Sequence, residues 1–198
     1  AGLLTRNKTV VMKGFTSNST IVTTNSVYTY INGKACVTSQ SAQTEMRGTY
    51  SIVNDSQTTN TFDDAGNLIS SDTHFRDFGN TTNTYDRHNT HDSAGILSVS
   101  QTTWHQKDAS GRAVLKVSTA NYGPVNGANK VLVTVTDVTL ENAPAASNKV
   151  SHDEYTHYEY NADGTLASYE QNHLGYKADG VTLDPAASNQ SSLSPSIF

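Results

Sequence analysis

Along most of this chain the side chains change character every second residue, within stretches rich in Thr, Ser, Val and Tyr. Successive side chains of a strand point to opposite faces, so a period of two marks β-strands. No long segment carries the apolar i, i+3, i+4, i+7 spacing of an amphipathic helix, and β-branched residues dominate. The alternation predicts strands at roughly 3–15, 19–31, 34–46, 48–62, 68–78, 81–92, 96–107, 112–122, 130–140, 149–161 and 165–176. Loops are expected at 121–129 and 141–149. Residues 181–198 read as a tail after a single domain over 1–180.

The breaks between strands share a pattern. Asp63-Asp64-Ala65-Gly66, Asp92-Ser93-Ala94-Gly95, Asp108-Ala109-Ser110-Gly111 and Asn161-Ala162-Asp163-Gly164 all read Asx-x-x-Gly, with Lys177-Ala178-Asp179-Gly180 as a looser copy. An Asx side chain opens a type I turn by accepting from its own backbone, and the Gly supplies the left-handed residue of a G1 bulge. Asn32-Gly33 is the signal of a two-residue type I′ hairpin. The expected fold is therefore all-β, an antiparallel up-and-down meander of about ten strands, closed or nearly closed into a barrel because closure removes exposed edges. A β-sandwich is the alternative.

The turns also predict register. Asp92 pairs with Ile96 and Asp108 with Arg112, so one face gathers Tyr85, Arg87, Asn89, His91, Leu97, Val99, Gln101, His105, Leu115 and Val117. Trp104 falls on the opposite face with Thr102 and Lys116. The first face has more aliphatic residues and is expected inside. Its Arg, His, Gln and Tyr suit a wet or ligand-filled interior better than a solid core. In the 149–176 hairpin, Tyr158 is expected opposite Ser168 and Thr156 opposite Glu170, and the inward face is left open.

Composition narrows the partners. The net charge of −5 argues against a nucleic-acid partner. No apolar run reaches membrane-spanning length. A single cysteine, Cys36, excludes an internal disulfide, and its apolar neighbours point to packing. The Thr/Ser/Asn-rich β composition suggests a secreted, periplasmic or cell-surface protein, and a homo-oligomer is compatible with it. Five glycosylation sequons, at Asn7, Asn18, Asn54, Asn80 and Asn189, match what chance gives at this composition.

Thr61-Phe62-Asp63-Asp64-Ala65-Gly66-Asn67-Leu68 and Tyr158-Glu159-Tyr160-Asn161-Ala162-Asp163-Gly164-Thr165-Leu166 resemble YD-repeat units, the hairpins of large bacterial surface and toxin-shell proteins. The Tyr-Asp pair itself is absent from both, and the spacing of the turns is uneven. The resemblance implies a surface or shell role without an active site.

Two function classes follow. In the first, the barrel interior binds a small, partly apolar organic ligand, as a carrier or as a cofactor-free lyase, isomerase or cyclase. His105, Tyr85 and Arg87 are the candidate catalytic groups. Proton transfer needs a positioned His or Tyr, and Arg can hold a carboxylate or an enolate oxygen. Gln101, Asn89, His91 and Trp104 are the candidate ligand-binding residues. In the second class the chain is a secreted or cell-surface module for adhesion, shell building or glycan binding, using its Tyr-rich sheet and Trp104. Glu154 and Glu170 fall diagonally within roughly 7–8 Å, a gap two hydrolytic carboxylates could use, but solvated carboxylates are far commoner. Seven histidines contain no His-x-His pattern, and a metal would need ligands from separate strands such as those of His91 and His105. The reading assigns neither metal nor cofactor.

Overall fold

A computed structural model describes residues 3–14, 19–49, 51–79 and 84–193. The sequons at Asn18 and Asn80 and the last five residues of the expected tail lie outside the described residues. Twelve strands run antiparallel in sequence order: β1 (Arg6–Lys13), β2 (Thr20–Ile31), β3 (Lys34–Met46), β4 (Ser51–Phe62), β5 (Leu68–Asp77), β6 (Tyr85–His91), β7 (Leu97–Lys107), β8 (Ala113–Val125), β9 (Ala128–Leu140), β10 (Lys149–Tyr160), β11 (Leu166–Tyr176) and β12 (Leu183–Leu193). They form one up-and-down sheet, and the sheet is not closed. The chain divides into two compact units, one ending at Ile96 and the other starting at Leu97.

The Asx-x-x-Gly segments make the turns their sequence specifies. In each, the Gly N–H donates to the carbonyl of the opening residue at 2.8–3.0 Å, for Asp63, Asp92, Asp108, Asn161 and Lys177 alike. Gly66, Gly95, Gly111 and Gly164 have φ of 78, 76, 80 and 82°. The Asp63, Asp92 and Asp108 carboxylates each accept two backbone N–H groups at 2.7–2.9 Å, two and four residues on. At the looser fifth copy, Asp179 accepts from the Val181 and Thr182 N–H groups and the Thr182 hydroxyl.

Two segments differ from the sequence reading. The expected loop at 121–129 is a hairpin: Asn126 and Gly127 have φ of 51 and 77°, and Val125 pairs with Ala128. It is the same left-handed pair as Asn32 and Gly33, at 52 and 80°. Within the expected tail, residues 183–193 form β12 along β11.

Neither unit is built on an apolar core. Among the described residues the buried apolar side chains are Cys36 and Val114, while Ser26, Ser71, Thr102 and Thr136 are buried polar ones. Cross-strand polar rungs take the place of apolar packing. In the first unit Gln40 donates to Ser26 at 3.1 Å, Thr58 and Thr73 bond at 2.9 Å, and Asn89 donates to Ser71 at 3.3 Å. In the second, Thr136 donates to Ser118 at 3.0 Å. The buried hydroxyls of Ser26, Ser71 and Thr136 are tolerated because each finds a partner across the ladder.

Two glycines carry different constraints. Gly111 has nothing within 4 Å of an added Cβ, whereas at Gly180 a Cβ would run into the backbone of Ser147 and Asn148. Gly111→Ala should therefore cost only the left-handed backbone penalty, about 1–2 kcal/mol. Gly180→Ala should cost clearly more, because the 177–180 turn must leave the 147–148 segment. Urea denaturation of the two variants checks the order; equal losses would contradict it.

The turn carboxylates also set an acid limit. Asp63 is held below the usual carboxylate range by the Asn67 N–H, and Asp163 by the Thr165 hydroxyl and N–H. At Asp108, partial burial opposes the shift, but the Arg112 and Ser110 donors outweigh it. Asp179 is lowered to about 2, first by the Thr182 hydroxyl and then by the Val181 and Thr182 N–H groups. A carboxyl lowered in the folded state adds stability above its unfolded value, and that stability fades as pH falls through the native value. Stability should hold above about pH 5 and decline from about pH 4 towards 2. Asp179→Asn should flatten the decline, as thermal melts across that range would show.

Candidate functional site

The expected site residues fall in both units: Tyr85, Arg87, Asn89 and His91 in the first, Gln101, Trp104 and His105 in the second. Tyr85, Arg87, Asn89 and His91 share the more sheltered face of β6, opposite Asp86 and His88. The Arg87 guanidinium lies 4.7 Å from the Tyr85 ring centre, and Tyr85 stacks on Phe75 at 5.1 Å. Asn89 Oδ1 and His91 Nδ1 are buried and have no hydrogen-bond partner among the described residues.

In β7 and β8 the sheltered face is the one opposite to that expected inside. Val114 is 1% exposed and Thr102 6%, on the face of Trp104. Gln101 and His105 are exposed on the other face, and the His105 side chain is 66% accessible with Nδ1 2.6 Å from Glu141. Gln101 donates to Thr119 at 3.3 Å. Trp104, expected outside, is half-buried, with Lys116 Nζ 5.2 Å from its ring. The count of aliphatic side chains misled because Leu115 and Val117 are themselves only part-covered.

Six of the seven histidines place Nδ1 2.6–2.8 Å from a carboxylate: His74 on Asp86, His88 on Asp72, His105 on Glu141, His152 on Asp137, His157 on Glu170 and His173 on Asp153. Strand pairing places four of these pairs directly opposite one another: Asp72 with His88, His74 with Asp86, Asp137 with His152 and Asp153 with His173. Glu154 and Glu170 take the diagonal positions expected of them, Glu154 opposite Asn172 and Glu170 opposite Thr156, and the Glu170 carboxylate meets His157. Among the described residues no group of three or more His, Cys, Asp and Glu side chains is arranged to hold a metal ion. Cys36 is buried, with Sγ 3.7 Å from the Lys34 carbonyl and 3.9 Å from that of Gly66.

The densest constellation is one that sequence pairing missed. Tyr155 and Tyr158 are an odd number of residues apart and should face opposite ways. The register of β10 against β11 shifts between Thr156 and Glu159, where His157 takes a φ of 51°. Ser168 consequently pairs with Glu159, not with Tyr158 as expected. This bulge turns Tyr158 onto the face of Tyr155, and both rings meet Tyr169, at 5.7 and 5.8 Å. Tyr158 donates to Thr134 at 3.1 Å and Tyr160 to the Val131 carbonyl at 2.8 Å, under Lys130 Nζ at 5.5 Å. Gln171 joins Tyr155 to Asp153, which also holds His173.

Burial raises the phenols of Tyr155, Tyr158 and Tyr160 above the usual tyrosine range. The Asp153 charge adds to the rise at Tyr155, and neighbouring phenols add to it at all three. They stay neutral donors at physiological pH. The result is a half-buried, uncharged aromatic patch bordered by one Lys and one His–Asp pair.

The bulge is testable. A β-branched residue is a poor fit at positive φ, whereas Gly adopts it freely. His157→Val should weaken the near-ultraviolet dichroism of the tyrosine cluster, and His157→Gly should retain it. Equal spectra would mean that the bulge does not hold the patch.

No protein-family model matches the chain, and no curated protein matches it in sequence.

Proposed function

We propose that this chain is a secreted or cell-surface interaction module without catalysis, whose second unit binds a glycan chain on its tyrosine face. The observation that carries this reading is the cluster of Tyr155, Tyr169 and Tyr158, in which Tyr158 stacks on Tyr169, with Trp104 on the same face two strands beyond β9. Tyr and Trp offer rigid, amphipathic contact area at low entropic cost, and nearby Ser, Thr and Gln side chains supply adaptable hydrogen bonds. A sheet face lined by part-covered aromatic rings and hydroxyls suits an extended polar partner better than a compact substrate. Six of the seven histidines pair with carboxylates through Nδ1, and His74, His88, His105 and His157 do so on exposed surface, where nothing shields a proton transfer from water. The likeness of the Asp63 and Asn161 hairpins to YD-repeat units fits the same surface role.

A second reading keeps a small organic ligand against the sheltered face of β6 in the first unit, with Tyr85 and Arg87 as its polar handles. It is favoured by one observation, the two unpartnered buried atoms of Asn89 and His91. Buried polar atoms of this sort call for water, an ion or a ligand.

The test is a glycan array probed with the intact chain, Tyr158→Ala and Trp104→Ala. Specific binding that falls at least about tenfold in Tyr158→Ala supports the glycan reading. A blank array, or binding indifferent to both changes, removes it. Binding lost instead in Asn89→Ala, with the tyrosines intact, favours the second reading.

A further inference from the structure

We propose that the groove between β9, β10 and β11 in the second unit binds a small molecule through a single carboxylate. The groove encloses about 360 Å³ and is lined by residues that include Asp137, Asn148, Lys149, His152, Leu174 and Tyr176. That volume falls within the range of small-molecule sites, about 300–1,000 Å³.

A second bulge in β10 builds it. Lys149 pairs with Thr139 and Ser151 with Val138, so Val150 is an extra residue between them. Without it Lys149 and His152, three residues apart, would point to opposite faces. With it, Lys149 stands beside Thr139 on the face of Asp137 and His152. Bulges often re-aim a side chain in this way next to binding sites.

The charges select the ligand. Lys149 Nζ lies 5.3 Å from the Tyr176 ring centre and makes no carboxylate ion pair among the described residues. Asp137, the acidic wall residue, is engaged by His152 at 2.7 Å. A carboxylate can therefore reach Lys149 with the Asn148 amide as a second donor. The nearby Asp137 charge opposes a dianion such as phosphate. Leu174 and Tyr176 give an apolar wall for the body of the ligand. A second groove of about 260 Å³ shares Lys149 and Tyr176 and adds Lys177 and Arg112, whose guanidinium is held by Asp108 at 2.7 Å. The groove lies on the face opposite Thr136 and Asp153, away from the tyrosines, so the inference does not rest on the glycan reading.

The carboxylate could belong to an acidic sugar or to a free organic acid. Nitrogen-15 NMR titrations with glucuronate, cyclohexanecarboxylate and neutral glucose separate these. Saturable shifts at Lys149, His152 and Tyr176 with glucuronate, at least about tenfold weaker with glucose, support the site. An equal response to cyclohexanecarboxylate assigns it to carboxylates at large, and a response to glucuronate alone assigns it to acidic sugars. Lys149→Gln should weaken binding about tenfold, Lys149→Arg should restore most of it, and Tyr158→Ala should leave it unchanged. No shift at these residues with either acid at millimolar concentration, or binding indifferent to Lys149→Gln, overturns the proposal.

Discussion

The hydrogen bonds from backbone N–H groups to the Asx side chains of the turns are the constraint on which the rest depends. Each Asp at 63, 92 and 108 ties down the N–H groups two and four residues on, and the following Gly closes the bulge. A hairpin closed in this way has one register, and a slip by one residue would move every side chain to the other face. With almost no apolar core to punish such a slip, specification falls to the turns. The Asn-Gly pairs at 32–33 and 126–127 do the same work by backbone conformation alone.

Fixed register makes a polar interior workable. Ser, Thr, Asn and Gln are poor core residues when their partners are left to chance, since an unmade buried hydrogen bond costs more than a made one contributes. Here the partners stand opposite by construction, as Thr58 with Thr73 and Ser118 with Thr136. The histidine–carboxylate pairs obey the same logic on the more exposed positions. Exposed pairs of this kind add little stability each.

Strands and turns were legible in the sequence because alternation and Asx-x-x-Gly act locally. β3 matches its predicted span at both ends, and most other strand ends fall within three residues. The 126–127 hairpin was missed although its signal equals that at 32–33, because Gly123 and Pro124 interrupt the alternation just before it. β12 was missed because Pro185 and the Ala pair after it weaken the strand pattern, which an edge position tolerates. The choice of sheltered face was not legible. When both faces are partly exposed, aliphatic count no longer ranks them: Val114 is buried, whereas Leu115 and Val117 on the other face are only part-covered.

What escaped sequence reasoning altogether was the pair of bulges in β10, and both candidate surfaces depend on them. A turn carries its own residue signature, but a bulge such as that at Val150 is decided by which of two neighbouring strands wins the pairing. Only His157, a non-glycine at positive φ, leaves a structural mark, and nothing in its sequence context predicts it. The bulges change parity within one strand, so that β10 presents Lys149 with His152 on one face and Tyr155 with Tyr158 on the other. An unbroken strand of this sequence would scatter both sets across the two faces. Regular register supplies the scaffold, and two local departures from it gather the side chains able to bind.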